Sequence, residues 1–294
     1  VNRSAAPGRS MAPARLCAAV YLSTAVRETV AAAARAAAFP AVSLVDVFTD
    51  DTYARSSLKL VGETGPLLQA ARLAALEAVR LIDLQNEPHP APHPRCGAVD
   101  MVAFMPLSEA SATDLAPELR TCEDLATQLG VSLGDAGCSV LLYGPQRGRT
   151  LLEARRHTSF FKSVRADAPN RVCLHVPPDA GPAEPSQRAG VSVVGAMTYV
   201  TNFNVQIESA SLTECKAAAT ALRTAMGVQV MALPHAHDSV EIGCNLQAST
   251  ELPSPNTVSV LQLIRDNLPV RAHVRRAYVV GLTPAAALDA AAAS

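Results

Sequence analysis

The chain has 294 residues, 49% of them hydrophobic, and a formal net charge of −1. That is enough apolar material for one large or two medium cores, and the near-neutral balance argues against a broad basic nucleic-acid surface. Tryptophan is absent and aromatics make up only 4%, poor material for stacking unpaired bases, while no apolar run reaches the ~18 residues of a membrane-spanning helix.

The periodicity switches repeatedly between strand and helix along the chain. Residues 1–15 carry Arg3, Arg9 and Arg15 with Ser and Pro but no acids, and read as a disordered or targeting segment. The first half then reads as strand 16–22, helix 24–38, strands 41–48 and 57–61, helix 66–85 and strand 98–105. Leu68, Ala71, Ala75, Val79 and Ile82 recur at three- and four-residue steps, an apolar stripe that packs on a sheet. A helix over 113–129, ended by Gly130, and strands 138–143 and 171–176 extend this half. The Pro- and Gly-rich stretch Pro177 to Gly190 is the natural boundary.

The second half repeats the order. Strand 191–207, broken near Asn202, precedes helix 212–226, which opens on the capping box Ser211 to Glu214 and closes on Gly227. Strands 228–232 and 239–245, helix 257–266, strand 274–281 and a helix started by Thr283-Pro284 follow. Both halves thus spell β-α-β-β-α-β. The expectation is an α+β fold of two ferredoxin-like (split βαβ) subdomains, 16–190 and 191–294, whose sheets face each other across a ligand cleft.

Between the helix 66–85 and its strand lies the densest chemistry, His89-Pro-Ala-Pro-His93-Pro-Arg-Cys-Gly-Ala-Val-Asp100. Pro90, Pro92 and Pro94 hold this loop extended, so it projects His89, His93 and Arg95 from a stiff mount. In an extended chain the two histidines stand roughly 13 Å apart, too far to chelate one ion. No Cys or His elsewhere has the spacing to complete a zinc site, so no metal is expected. Two readings stay open: a proline-rich surface loop, or a site where base, cation and glycine receive an anionic substrate.

The segment His93-Pro-Arg-Cys-Gly-Ala-Val-Asp100 with Phe104-Met-Pro106 resembles the H-P-R-x-G-A-x-D-x-x-P-F-x-P motif of the formiminotransferase domain family. Further likeness follows in order: Arg80-Leu-Ile-Asp83, Leu142-Tyr143-Gly144, Asp179 to Gly190, Val194-Gly195-Ala196, Phe203-Asn204-Val205, Gly281-Leu-Thr-Pro284 and Leu288-Asp-Ala-Ala. It runs from about Leu16 to Ala293 and is most similar to stand-alone, cyclodeaminase-free members of photosynthetic eukaryotes. Departures are specific. The family's V-P-N-F-S-E-G loop reads Val20 to Arg27 here, and its D-x-D-A-G-P segment reads Asp46 to Asp51, with Phe48 at the second acidic position. Ala103 and Ala91 replace a family proline and glycine.

The resemblance implies transfer of a formimino group from N-formimino-L-glutamate to tetrahydrofolate, a co-substrate. His93 falls at the catalytic histidine, suited by its near-neutral pKa to move protons both ways. Arg95, His89 and Asp100 are implied substrate contacts, and Gly181, Pro182, Ser186 and Gly190 implied folate contacts. Asp100 has two readings, a buried partner orienting Arg95 or His93, or the start of a strand. Asp50 is a substitute acid or a plain turn residue. Arg147, Arg149, Arg155 and Arg156 are a solvated helix start, or an attraction for an acidic ligand tail.

His235 and His237 read as loop residues, and His157, His175 and His273 as ordinary structural histidines. Seven cysteines without CxxC pairs argue for reduced thiols. Cys138, Cys173, Cys215 and Cys244 are expected in the core, and nothing in this chemistry calls on a Cys96 thiolate. The expected partners are the folate and the glutamate derivative, with a homodimer left open and neither nucleic acid nor membrane. The expected compartment is the cytoplasm, with organellar import as the alternative. Two other functions remain: a folate binder that has lost turnover, and an interaction subunit reusing the scaffold.

Overall fold

The computed structural model describes residues 15–51, 53–87, 95–161, 172–235 and 238–294. The first unit runs β1 (Leu16–Leu22), α1 (Arg27–Ala36), β2 (Val42–Asp50), β3 (Arg55–Gly62), α2 (Thr64–Leu81) and β4 (Val99–Pro106). It continues through α3 (Ala116–Asp135), β5 (Ser139–Tyr143), α4 (Leu151–Arg156) and β6 (Val191–Ala196). The second runs β7 (Val200–Glu208), α5 (Leu212–Met226), β8 (Gln229–His235), β9 (Ser239–Gln247), α6 (Thr257–Asp266), β10 (His273–Val280) and α7 (Pro284–Ala292).

The fold is α+β with two sheets, a six-stranded one ordered β2-β3-β1-β4-β6-β5 and a four-stranded one ordered β10-β7-β9-β8. Within the first, β2-β3-β1-β4 has the same strand order as β8-β9-β7-β10, with α1 and α2 matching α5 and α6 in the chain. The extra strands β5 and β6 join the β4 edge in parallel. Parallel strands are covered on both faces, and β4, β5 and β6 are buried throughout.

Register separates the two faces of the large sheet. Val20, Leu58, Val102, Val194 and Leu142 share one face, and a Cβ on Gly130 of α3 would meet Leu142 and Val140 there. Tyr21, Ser57, Lys59, Val61, Met101 and Tyr143 point the other way. Onto that second face close Tyr199, whose ring lies 5.7 Å from the Lys59 ammonium, and α7, whose Ala287 and Ala291 pack on Val61. The Tyr199 hydroxyl donates to the Leu282 carbonyl at 2.8 Å, tying the second unit back to the first.

Five expectations are corrected. The helix ended at Gly130 in the sequence reading continues to Asp135, because Gly130 and Gly134 are close-approach residues on one face rather than a stop: a Cβ on Gly134 would sit 2.7 Å from the Gly181 nitrogen. Residues 172–176 make no strand, only a bridge between Thr158 and Leu174. The strand 191–207 is two strands in different sheets, the chain passing between them at 197–199, and Asn202 lies inside β7. Its alternating Asn202, Asn204 and Gln206 form the polar face of an antiparallel sheet, where Asn204 and the Tyr278 hydroxyl donate to the Glu241 carboxylate at 2.9 and 2.6 Å. Finally, His235 ends β8 instead of lying in a loop, and Cys173 is half-exposed rather than core.

The second unit follows its local signals closely. Ser211 and Glu214 form the reciprocal capping box of α5, and Gly227 ends it at φ 66° in the left-handed region. Such a cap contributes about 1 kcal/mol.

Candidate functional site

His89 and His93 lie outside the described residues, so the site is read from what holds the loop's two ends. Arg95 is buried, and its Nη2 donates to the Leu84 and Glu87 carbonyls, each at 2.8 Å, clasping the chain before the loop to the chain after it. Burial lowers its pKa, yet a guanidinium keeps its charge in proteins. Where the sequence offered Arg95 as a fork for a carboxylate, the structure shows this nitrogen engaged with backbone.

Behind Arg95 the chain is fixed against the folate-like segment. The Val191 N–H donates to the Cys96 carbonyl at 2.7 Å and the Ala98 N–H to the Ala189 carbonyl at 2.8 Å. Gly97 and Gly190 meet at this crossing: a Cβ on either would come within 2.2–2.3 Å of a backbone oxygen, and Gly190 has φ 75°. Only glycine fits such an approach.

Gly181 is alike, at φ 81°, with its Cβ position 2.0 Å from the Cys138 carbonyl oxygen. The Pro182 carbonyl accepts from Ser139 Oγ at 2.6 Å, and the Ser186 carbonyl accepts from the Gly190 N–H at 2.7 Å. Each of the four residues carried over as folate contacts therefore also has a place in chain-to-chain packing. Asp179 starts the segment by accepting from the Leu142 N–H at 2.7 Å and from Arg149 at 2.6 Å.

Asp100 resolves in favour of a buried partner, though of a residue the sequence did not suggest. Its Oδ1 accepts from the Cys96 N–H at 2.9 Å and from the Cys96 thiol at 3.2 Å, and stands 3.7 Å from Arg55 Nη1. Burial opposes its ionisation, but Arg55, Arg155 and the Cys96 N–H outweigh this and hold the carboxyl below its ordinary value. Burial and the adjacent carboxylate push the Cys96 thiol well up, so it stays protonated.

Arg55 also donates to the Ser23 hydroxyl, which donates in turn to the Gly97 carbonyl at 2.5 Å. Ser56 Oγ donates to the Thr24 carbonyl at 2.8 Å. Ser23 and Thr24 belong to the stretch that departs from the family's loop, and here they brace the start of β4. Asp50 accepts from the Tyr53 N–H at 2.9 Å, a turn residue.

The arrangement is a stiff, cationic mount. β1, β3 and β4 converge on the exit of the histidine loop, where Arg55, Arg95 and Arg155 act on the carboxylate of Asp100, and Arg95 also faces that of Glu87. Such a surplus of guanidinium charge suits a ligand bearing carboxylates. Arg55 was missed by sequence reasoning, since nothing in its local sequence marks it, and Ser23 was marked only as part of the stretch that departs from the family's loop. Phe48, at the substituted acidic position, is 40% exposed and stands opposite Ser57.

The model of the formiminotransferase domain, N-terminal subdomain, matches residues 15–197, which contain every element of this mount. The chain belongs to the formiminotransferase domain family. A formiminotransferase cyclodeaminase-like protein of Arabidopsis thaliana is 32% identical over 249 residues, covering 78% of this chain and 81% of that one. A glutamate formimidoyltransferase of Thermoplasma acidophilum is 28% identical over 259 residues, covering 84% and 80%. The formimidoyltransferase-cyclodeaminase of Gallus gallus is 29% identical over 173 residues, 57% of this chain but 29% of that larger protein. Transferases are thus found among its formiminotransferase relatives. No helix of the described residues is long and apolar enough to cross a membrane.

Proposed function

We propose that the chain moves the formimino group of N-formimino-L-glutamate to N5 of tetrahydrofolate. The observation that supports this most is its likeness to a glutamate formimidoyltransferase over 80% of that protein's length. In this reading the folate amine attacks the amidine carbon, and the tetrahedral intermediate expels glutamate. His93 takes the proton from the attacking nitrogen and returns it to the leaving one. Arg95 and Asp100 act through position, since the first clasps the loop and the second fixes Cys96 and Arg55. No step calls for a metal.

The segment from Asp179 to Gly190 forms the folate wall in this proposal, held in shape by its packing on β5 and on the Cys96–Gly97 crossing. The subdomain division falls at 197–199. Folate and the glutamate derivative are the partners, and the cytoplasm is the compartment.

The test is a formiminoglutamate turnover assay on the purified protein and on His93→Ala, with calorimetric titration of 5-formyltetrahydrofolate into both. Turnover should fall by about 10²–10⁴-fold in the variant while 5-formyltetrahydrofolate still binds. Binding without turnover in the unaltered protein would make it a folate binder that has lost the reaction. No binding at all would reject the folate reading.

A further inference from the structure

Arg155 differs from the other guanidiniums of the site in what it touches. Arg95 is spent on backbone carbonyls, Arg149 on Asp179, and Arg55 on Ser23 and Asp100. Arg155 has only soft neighbours among the described residues: its Nη2 reaches Met101 Sδ at 3.5 Å, and its Cζ lies 4.4 Å from the centre of the Phe160 ring. Its Nε is buried and has no hydrogen-bond partner.

The side chain is not there by looseness. α4 is a single well-capped turn and a half, in which Thr150 and Glu153 form a reciprocal capping box, and Arg155 stacks on Phe160 in the core. A buried guanidinium N–H without an acceptor costs desolvation free energy that a thioether and a ring do not return. Arg155 is half-buried, so an incoming group can still reach it. Met101 is paired with Tyr21 in register, which puts Arg155 over the face opposite α3, beside the exit of the histidine loop. Its charge is felt at Asp100 and Cys96 by that exit, and at Tyr21 and Tyr143 on the same face of the sheet.

We infer that Arg155 is the carboxylate-binding residue of the transfer site, its guanidinium fork completed by a ligand carboxylate when co-substrate is bound. This rests on the proposed transfer reaction for the ligand's identity, not for the site. The carboxylate belongs either to the glutamate part of the formimino donor or to the glutamate tail of the folate, and the experiment separates the two.

Binding of glutarate is measured by NMR and thermal shift on the unaltered protein, Arg155→Met, Arg155→Lys and Arg72→Met. Arg72 on α2 also has a buried, unpartnered Nε, and controls for the general effect of removing such a group. KM and kcat for the formimino donor, and affinities for 5-formyltetrahydrofolate and its tail-free pteroate analogue, are measured on the same set.

Loss of a charge-assisted fork should weaken carboxylate binding by about 10- to 100-fold in Arg155→Met. Arg155→Lys should show a smaller loss, because it keeps the charge without the fork, and it serves as the test if the methionine variant fails to fold. A rise in donor KM with kcat little changed assigns the donor carboxylate. Weakened 5-formyltetrahydrofolate binding with the pteroate unaffected assigns the folate tail. Glutarate binding that depends on Arg155 in a protein without turnover supports the site and rejects the transfer reading. The inference is overturned if glutarate does not bind the unaltered protein, or if Arg155→Met binds every carboxylate ligand as tightly as Arg72→Met does.

Discussion

Replacing Gly190 with alanine separates a packing glycine from a ligand-contacting one. Gly190 sits at φ 75°, where an L side chain costs about 1–2 kcal/mol. Its Cβ would meet the Cys96 oxygen at 2.3 Å, Gly97 Cα at 2.8 Å and Leu84 Cδ1 at 2.9 Å. The first two are backbone, so the chain itself must move, an overpacking cost of about 1–3 kcal/mol. That movement also strains the 2.7 Å bond from the Val191 N–H to the Cys96 carbonyl, for roughly 1 kcal/mol more.

The expected loss is about 4 kcal/mol, or about 10 °C of melting temperature for a unit of this size. Gly137→Ala is the control: φ is 89° but nothing lies within 4 Å of its Cβ, so only the backbone cost of about 1 kcal/mol applies. Urea and thermal unfolding of both variants, with 5-formyltetrahydrofolate titrations at low temperature, give the comparison. A Gly190→Ala protein as stable as Gly137→Ala would refute the reasoning. If it were also unable to bind folate, the glycine would belong to the ligand and not to the crossing.

Three further outcomes are expected. Asp100→Asn leaves Arg55 without its carboxylate and should cost about 3 kcal/mol. It should also flatten the acid limb of the stability curve. The folded-state pKa of Asp100 is depressed, so its contribution is present above the unfolded value of about 3.9 and lost as pH falls through the lower folded value; a denaturant series from pH 6 to 2 shows whether the variant lacks that loss. Ser211→Ala removes the cap of α5 and should lower stability by about 1 kcal/mol in urea unfolding, an effect absent if the helix is held by packing alone. Thiol labelling of the native protein should modify Cys173 first: it is half-exposed, whereas the other cysteines are buried, with Cys17 and Cys244 pushed up to about 12 and Cys138 to about 11 by burial. Mass spectrometry of early digests reads the order, and fast labelling of Cys96 would contradict its protonated, buried state.

What the sequence made legible was local. The capping box at Ser211 and the left-handed Gly227 lie within a few residues of the helix they bound, so α5 could be read almost to the residue. The same rules misplaced the end of α3. A glycine in a helical pattern signals a stop, but Gly130 and Gly134 are there because Leu142 and Gly181, far along the chain, need the space. β6 and β7 read as one strand for a related reason: an apolar run states that a strand is buried, not which sheet buries it.

The site divides the same way. The histidine loop announced itself by composition and by resemblance, whereas the groups that hold its ends come from distant strands with no pattern of their own. Arg95 reads as a substrate cation because it neighbours the motif, and the fold adds a second task, its Nη2 bonding the Leu84 and Glu87 carbonyls. Arg155 looked like one member of a solvated basic run, and only the fold sets it on Phe160 beside Met101 with an unpartnered nitrogen. The departure from the family at Ser23 and Thr24 carries the same lesson in reverse. It reads as a lost catalytic loop, but both residues are buried and bonded into the mount, Ser23 to Arg55 and to the Gly97 carbonyl. The chain that leaves the loop is thus braced by β1 and β3 even where the sequence departs from the family. Phe48 is then the substitution to reverse first: Phe48→Asp would restore a carboxylate opposite Ser57 on an exposed position, with little cost to the core.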